Sequence, residues 1–204
     1  MTLPPSFFDD MYAAAEDPWS MRTRWYERRK YALSTAVLPA QRYADALEVG
    51  CSVGELTARL ADRCDRLTAW DASAAAVERA AARVAGSPHV RVARVAVPGP
   101  VLPQVDLLVL SEVLYYLGDA DLAVFLAQAR AAVRPGGTLL AVHWRHEVPE
   151  YPQTGDAVHA ALRAALPWPR VAVHTEPDLL LDCWVAAPAD DVRAASVAAA
   201  EDLW

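Results

Sequence analysis

The chain predicts an α/β fold: a doubly wound, mostly parallel sheet of seven strands ending in an antiparallel β-hairpin. Three observations lead there. Between Ala46 and Trp144, short apolar β-type segments alternate with amphipathic helical ones, and parallel strands need such crossovers. Val105-Asp106-Leu107-Leu108-Val109-Leu110 is a nearly continuous apolar run, as in a strand covered on both faces. Farther on, β-type segments 171–176 and 179–186 are separated only by Pro177-Asp178, which forces a hairpin.

Taken in order, residues 7–15 read as a short helix after Pro4-Pro5, and Asp17-Pro18-Trp19-Ser20 as a turn. Residues 24–38 read as a helix stopped at Pro39. Its basic run Arg28-Arg29-Lys30 is most simply a solvated face; the alternative is a lid with Trp19, Tyr26 and Lys30 turned into a ligand mouth. Residues 46–49 form a first strand, then a glycine turn, then a helix with Leu56 and Leu60 on one face. Residues 66–70 form a second strand ending in Asp71, followed by a helix over 73–85 that Gly86 and Pro88 close. A third strand is expected at 89–95 and a fourth at 105–110. Residues 121–133 place Leu122, Phe125, Leu126 and Ala129 on one helical face. Arg134-Pro135-Gly136-Gly137 stops that helix, 138–144 is a fifth strand, and 157–166 a helix before the hairpin. The expected organisation is an N-terminal helical lid segment (1–40), the α/β domain (41–187) and an alanine-rich tail (188–204), docked as a helix or disordered.

The turn after the first strand is where chemistry concentrates. Read as Glu48-x-Gly50-x-x-x-Gly54, it is the nucleotide-binding turn of a Rossmann-like domain, with glycines that permit a sharp bend and close backbone approach. The N–H groups of the following helix would then face the ligand, and Glu48 would stand where a carboxylate meets a cationic one. Read as Gly50-Cys51-Ser52-Val53-Gly54, it is the Gly-x-Ser-x-Gly elbow of a serine hydrolase. Asp71 favours the first reading. It lies about 20 residues beyond Gly50 at the tip of the second strand, the place of an acid that binds a ribose diol. A hydrolase elbow belongs deeper in the sheet, after several strands.

Net charge is −7 with no basic stripe, which disfavours a nucleic-acid partner. Cys51, Cys64 and Cys183 are few and far apart, as reduced core thiols are, and suggest no metal site. The first 20 residues lack the pattern of a secretion signal and no stretch is apolar enough to span a membrane, so the expected location is cytoplasmic. Ile and Asn are absent and Lys30 is the single lysine, the codon bias of a GC-rich bacterial genome.

The segment from Glu48 to Gly54 resembles the first motif of class I S-adenosylmethionine (SAM)-dependent methyltransferases, Asp71 their ribose acid, and residues 134–137 the turn before their fifth strand. More narrowly, Asp17-Pro18-Trp19, residues 26–31, Leu110-Ser111-Glu112-Val113-Leu114-Tyr115-Tyr116-Leu117, His143-Trp144-Arg145-His146 and residues 151–159 resemble the nodulation protein S family, N-methyltransferases that act on chitooligosaccharide signals. The likeness covers about residues 8–186. It implies SAM as cofactor, with S-adenosylhomocysteine as product. Trp19, Tyr26, Lys30, Glu48, Gly50, Ser52, Gly54, Asp71, Ala72, Val95, Ala96, Val97, Ser111 and Glu112 are then the expected cofactor-binding residues. Two positions depart from the pattern: Ser52 stands where glycine is usual, and Ala96 where an Asp often binds the adenine amino group, leaving adenine to the backbone of Val95 to Val97.

Around the expected mouth stand Glu112 and Tyr116, then His143, His146 and His159. His143 is the expected proton acceptor, with Glu112 and Tyr116 completing the catalytic set; as plain structure, His143 is a satisfied core group, His159 an exposed one, and Glu112 a cap. The expected reaction is methyl transfer to the amine of an amino sugar or similar small polar metabolite. O-methylation is the alternative, and SAM binding without catalysis a third reading.

Overall fold

The computed structural model describes residues 1–191, 193 and 196–203. Its elements are α1 (Pro5–Ala14), α2 (Trp25–Ala36), β1 (Tyr43–Val49), α3 (Glu55–Ala61), β2 (Cys64–Asp71), α4 (Ala74–Arg83), β3 (Val90–Arg94) and β4 (Val105–Ser111). A 3-10 turn (Leu114–Tyr116) follows, then α5 (Asp119–Ala132), β5 (Val133–Trp144), α6 (Gly155–Ala165), β6 (Arg170–Thr175), β7 (Leu179–Val185) and α7 (Val197–Ala200). The seven strands are ordered β3-β2-β1-β4-β5-β7-β6. The first five run parallel and β7 is antiparallel to both β5 and β6, the class I methyltransferase fold.

Alternation along the strands sorts side chains into two cores. Leu47, Val49, Leu108, Leu110 and Leu139 face α5 and α6, with Phe125, Leu126, Val158 and Leu162 packed on them. Ala46, Leu67, Leu107, Val109 and Leu140 face α2 and α3, meeting Tyr31, Leu56 and Leu60. β4 is therefore buried on both faces, as its apolar run requires. α1 docks on α4, where the Arg79 guanidinium donates to the carbonyls of Tyr12, Ala15 and Glu16.

Two boundaries differ from expectation. β1 begins at Tyr43 rather than 46, because the Tyr43 N–H donates to Arg63 O and Tyr43 pairs with Cys64. Residues 134–137 do not lie outside the sheet: Gly136 takes a positive φ of 79°, its N–H donates to Ala186 O, and β5 carries the ladder through them.

The strand order reverses between the parallel neighbours β1 and β4, so their carboxyl ends open a cleft at the topological switch point. β6 runs with the parallel strands, so the hairpin turn at Pro177-Asp178 lies at the same end; Trp144, closing β5, pairs with Leu179. In the expected tail, α7 is capped by Ser196, whose hydroxyl accepts from the Ala199 N–H; Val192, Ala194, Ala195 and Trp204 lie outside the described residues. Among the described residues, no helix is long and apolar enough to cross a membrane.

Candidate active site

A cavity of about 790 Å³ occupies the carboxyl-end cleft. Its wall draws on the β1, β2, β3 and β4 ends, on α1 and α2, and on the hairpin turn.

The glycine turn between β1 and α3 is sharper than its glycines alone suggest: Gly50, Ser52 and Gly54 all have positive φ, at 80°, 50° and 83°. Four of its own amides are held by the chain itself. Gly50 and Cys51 both donate to Trp70 O (2.8 and 2.9 Å), Ser52 donates to Asp71 Oδ2 (2.9 Å) and Gly54 to Cys51 O (2.9 Å). The turn is thus folded onto the end of β2. A Cβ at Gly50 would approach Val113 Cβ to 3.1 Å, and one at Gly54 would come within 2.9 Å of Ala80 Cα. Both glycines are required by backbone conformation and by contact with the chain itself. Gly50 lines the cavity, whereas Gly54 lies behind it against α4 and does not line it. Ser52 does face the cavity, but its hydroxyl pairs with Tyr12 of α1 rather than with a histidine. The elbow geometry is present without a base, and the hydrolase reading ends there.

Two acids line this half of the cavity. Glu48 is 2% exposed, and its Oε2 has no hydrogen-bond partner. Burial pushes its carboxyl up to about 8; Thr57 pulls it down in part and the Asp71 charge pushes it further up. Asp71 accepts from the Ser52 and Ser73 amides, each at 2.9 Å. Burial raises its carboxyl, and those amide bonds offset part of the rise. Ala72, Val95, Ala96 and Val97 complete this wall. The Val95 amide is already committed to Asp71 O at 2.8 Å, so it offers no donor to an adenine.

α2 turns an ionic face inward: Glu27, Lys30, Tyr31 and Ser34, at helical spacing, are its buried residues. Arg28 stays outside and Arg29 grips Glu176 with two nitrogens at 2.7 and 2.6 Å. Lys30 Nζ lies 2.8 Å from both Glu27 Oε2 and Glu112 Oε1, with the Tyr26 and Tyr31 rings each 5.4 Å away. Burial alone would lower the ammonium's pKa, but the charges of Glu112 and Glu27 outweigh it and hold it above the usual value. The solvated-face reading fails for Lys30 and holds for Arg28.

Glu112 has a positive φ of 56°, which swings its side chain off the end of β4. Its Oε1 accepts from Lys30, and its Oε2 accepts from the Tyr115 hydroxyl (2.6 Å) and the Trp144 N–H (2.9 Å). Ser111, just before it, also lines the cavity. Beyond them stands an aromatic wall. Tyr116 meets Phe8 edge-on at 4.8 Å and Tyr151 at 4.8 Å, and Tyr115 stacks on Tyr151 at 5.1 Å. Tyr26 stands edge-on to Trp144 at 5.2 Å, and Trp19 packs against Tyr12 at 5.7 Å. Burial holds the Tyr116 hydroxyl well above the ordinary phenol range.

His143 is not at the cavity. It is wholly buried, its Nε2 accepts from the Leu114 N–H at 3.2 Å and its Nδ1 lies 3.1 Å from His159 Nε2. Burial first, then His159 and Lys30, hold it well below the usual imidazole range. Sealed there, it does not line the cavity, and its position gives no support to the expected role of proton acceptor. His159 is also buried, paired with Asp182 at 2.8 Å, and His146 is exposed and pairs with Asp178 at 2.6 Å.

Sequence reasoning missed Tyr12, Glu27, Tyr151 and Asp178. They come from separate elements, and the local signals were the spacing of Glu27 from Lys30 on one helix and the family-like segments that hold Glu27 and Tyr151.

The profile of the nodulation protein S (NodS) family matches residues 10–158. Nodulation protein S of Rhizobium tropici is 36% identical over 130 residues, 62% of this chain and 55% of that protein. That of Bradyrhizobium diazoefficiens is 35% identical over 132 residues, 63% of this chain and 59% of that one. The chain spans about half the length of the curated relatives it matches. Among solved structures, a provisionally named methyltransferase from Pseudomonas syringae is 48% identical, with a TM-score of 0.70, covering 79% of this chain and 99% of that one. The N-methyltransferase NodS of Bradyrhizobium japonicum WM9, solved with S-adenosylhomocysteine, is 24% identical with a TM-score of 0.80 over 90% of this chain and 99% of that one. That likeness is one of fold.

Proposed function

The chain belongs to the nodulation protein S family of SAM-dependent methyltransferases, and on that premise we propose that it methylates an amine nitrogen on a small polar acceptor such as an amino sugar. SAM, when bound, supplies an activated methyl group on a sulfonium cation. The residues present fit it: Glu48 is a buried carboxyl lacking a partner at one oxygen, which a cationic group would supply. Asp71 stands at the tip of β2 for a ribose, and Trp19, Tyr26 and Lys30 close the wall from the N-terminal segment.

The observation that supports an amine is the absence of a free base among the groups expected to act on the acceptor. His143 is sealed beneath the wall, the Glu112 carboxylate already accepts three hydrogen bonds, and the Tyr116 hydroxyl is held strongly protonated. A hydroxyl acceptor needs a general base; an amine that arrives neutral needs little beyond alignment. Glu112 and Tyr116 then orient the acceptor, and the aromatic wall excludes water. Incubation with labelled SAM and matched amino and hydroxy sugars, with the methyl located by mass spectrometry, tests this. Methyl found only on oxygen overturns the amine reading.

Two variants check the cofactor half. Asp71→Ala removes a charge-assisted acceptor, worth about 1.5–3 kcal/mol, so S-adenosylhomocysteine affinity should fall roughly ten- to a hundredfold by calorimetry. Unchanged affinity would mean that the end of β2 does not hold the ribose. Ser52→Ala leaves the Tyr12 hydroxyl without its partner, a loss of about 1 kcal/mol in stability, and keeps methyl transfer near wild-type rates.

A further inference from the structure

Beneath the aromatic wall runs a buried polar chain that the proposed reaction does not use. Asp182 on β7, His159 on α6 and His143 on β5 are all buried. They are joined at 2.8 Å (Asp182 Oδ2 to His159 Nδ1) and 3.1 Å (His159 Nε2 to His143 Nδ1), and the Leu114 N–H meets His143 Nε2 at 3.2 Å. Arg170 and Arg163 flank the outer side of Asp182 at 3.0 and 3.3 Å.

The two ends fix the direction of every bond. A peptide N–H only donates, so His143 Nε2 is bare and the neutral ring carries its proton on Nδ1. That proton is donated to His159 Nε2, which leaves the His159 proton on Nδ1, donated to Asp182. Burial opposes ionisation of Asp182, but the interaction with His159 and then that with Arg170 outweigh it, and its carboxyl sits below the usual range.

The far end of the chain is Leu114, which opens the turn carrying Tyr115 and Tyr116. The same turn is held from the other side, since the Gln153 N–H donates to Tyr115 O at 3.1 Å and Tyr151 stacks on Tyr115. Residues 151–154 lead into α6, the helix that carries His159. The contacts thus close a ring: turn, loop, helix, His159, His143, and back to the turn.

We propose that His143 is a positioning residue for acceptor binding: with His159 and Asp182 it latches the Leu114–Tyr116 turn to α6 and the sheet, so that Tyr115, Tyr116 and Tyr151 stand as one preformed wall. The inference rests on the reading of that wall as the acceptor side. A fully satisfied buried network specifies a single arrangement, and preorganisation lowers the cost of ordering a site on binding.

The test uses the full chain with S-adenosylhomocysteine, followed by nitrogen-15 NMR of the histidines and by amide exchange. In wild type, His143 and His159 should both show the Nδ1–H tautomer. Asp182→Asn should mix the tautomers, while Arg170→Gln, which removes an ion pair of Asp182 but leaves the chain, should not. His143→Phe keeps the ring bulk and loses both nitrogens. It should speed exchange at residues 114–116 about tenfold, the loss of one hydrogen bond to a buried amide, and leave exchange in the glycine turn and S-adenosylhomocysteine affinity within about twofold. His143→Gln, whose side-chain carbonyl can accept from Leu114, should recover most of the protection. A wild-type His143 protonated on Nε2, unchanged exchange at 114–116, or equal acceleration across the whole sheet would overturn the proposal. Failure of the methyltransferase reading would show separately, as wild type that binds no S-adenosylhomocysteine with the tautomers in place.

Discussion

Replacing Lys30 by Met should lower stability by about 3–5 kcal/mol, the cost of leaving buried charge without its partner. For a chain of this size that is roughly 6–20 °C in melting temperature. The ammonium is 2% exposed and lies 2.8 Å from each of two carboxylates whose side chains are 9% and 13% exposed. Glu112 keeps the Tyr115 hydroxyl and the Trp144 N–H in the variant, whereas Glu27 loses the ammonium altogether. Adding Glu27→Gln to Lys30→Met should therefore recover part of the loss, and a double-mutant cycle reads the coupling. Because Lys30 is held above its ordinary value near 10.5, its contribution is whole below that pH and is lost only as pH rises through the higher folded value. The deficit of the variant should consequently be flat across neutral pH. A Lys30→Met protein that melts with wild type would show that α2 is not anchored by this pair.

Glu48→Gln should do two opposite things. In the folded protein the carboxyl is pushed up to about 8 from an ordinary 4.5. Between those values the unfolded chain has released the proton and the folded one has kept it, so wild-type stability falls as pH rises through that window and is undiminished below it. At about 1.36 kcal/mol per pH unit, the loss reaches on the order of 3 kcal/mol by pH 7. Denaturant unfolding of the variant should show this slope removed. With cofactor the sign reverses: a cationic group placed against Glu48 favours the ionised form, so the variant should lose roughly tenfold or more in SAM affinity, the scale of a charge-assisted bond. Parallel pH curves for the two proteins, or equal SAM affinity, would show that Glu48 is an inert buried acid. A protein that gains stability and loses binding from one substitution illustrates the trade between the two.

How much of this was legible in the chain depends on how local each signal is. The doubly wound sheet, the hairpin and the places of Glu48 and Asp71 follow from alternation, a two-residue link and one spacing, all carried within short windows. Lys30 was ambiguous because its neighbours Arg28 and Arg29 do face outward; only the arrival of Glu112 from the end of β4, 82 residues later, turns the lysine inward. His143 misled for the same reason. A histidine at a strand end suggests catalysis, and what seals it is a partner on α6, 16 residues on, and a peptide N–H from another loop. The glycine turn was located correctly, and its positive φ values are those a sharp bend needs, but its internal contacts were not foreseen. Its amides close on Trp70 and Asp71, and the space that Gly54 leaves is filled by Ala80, contacts that no turn signature encodes.

The reversal of strand order at β1 and β4 also divides labour along the gene. Glu48, Asp71 and the backbone edges of the β1–β3 side of the cavity come from residues 48–97, while Tyr115, Tyr116, Tyr151 and the histidine latch come from residues 112–182, across the switch point. Each block is continuous in sequence, and the two meet beside the β1–β4 pairing, where Gly50 packs against Val113. On the proposed reading, recombining the second block with that of a relative should change acceptor preference more than S-adenosylhomocysteine affinity, which product analysis and calorimetry would check.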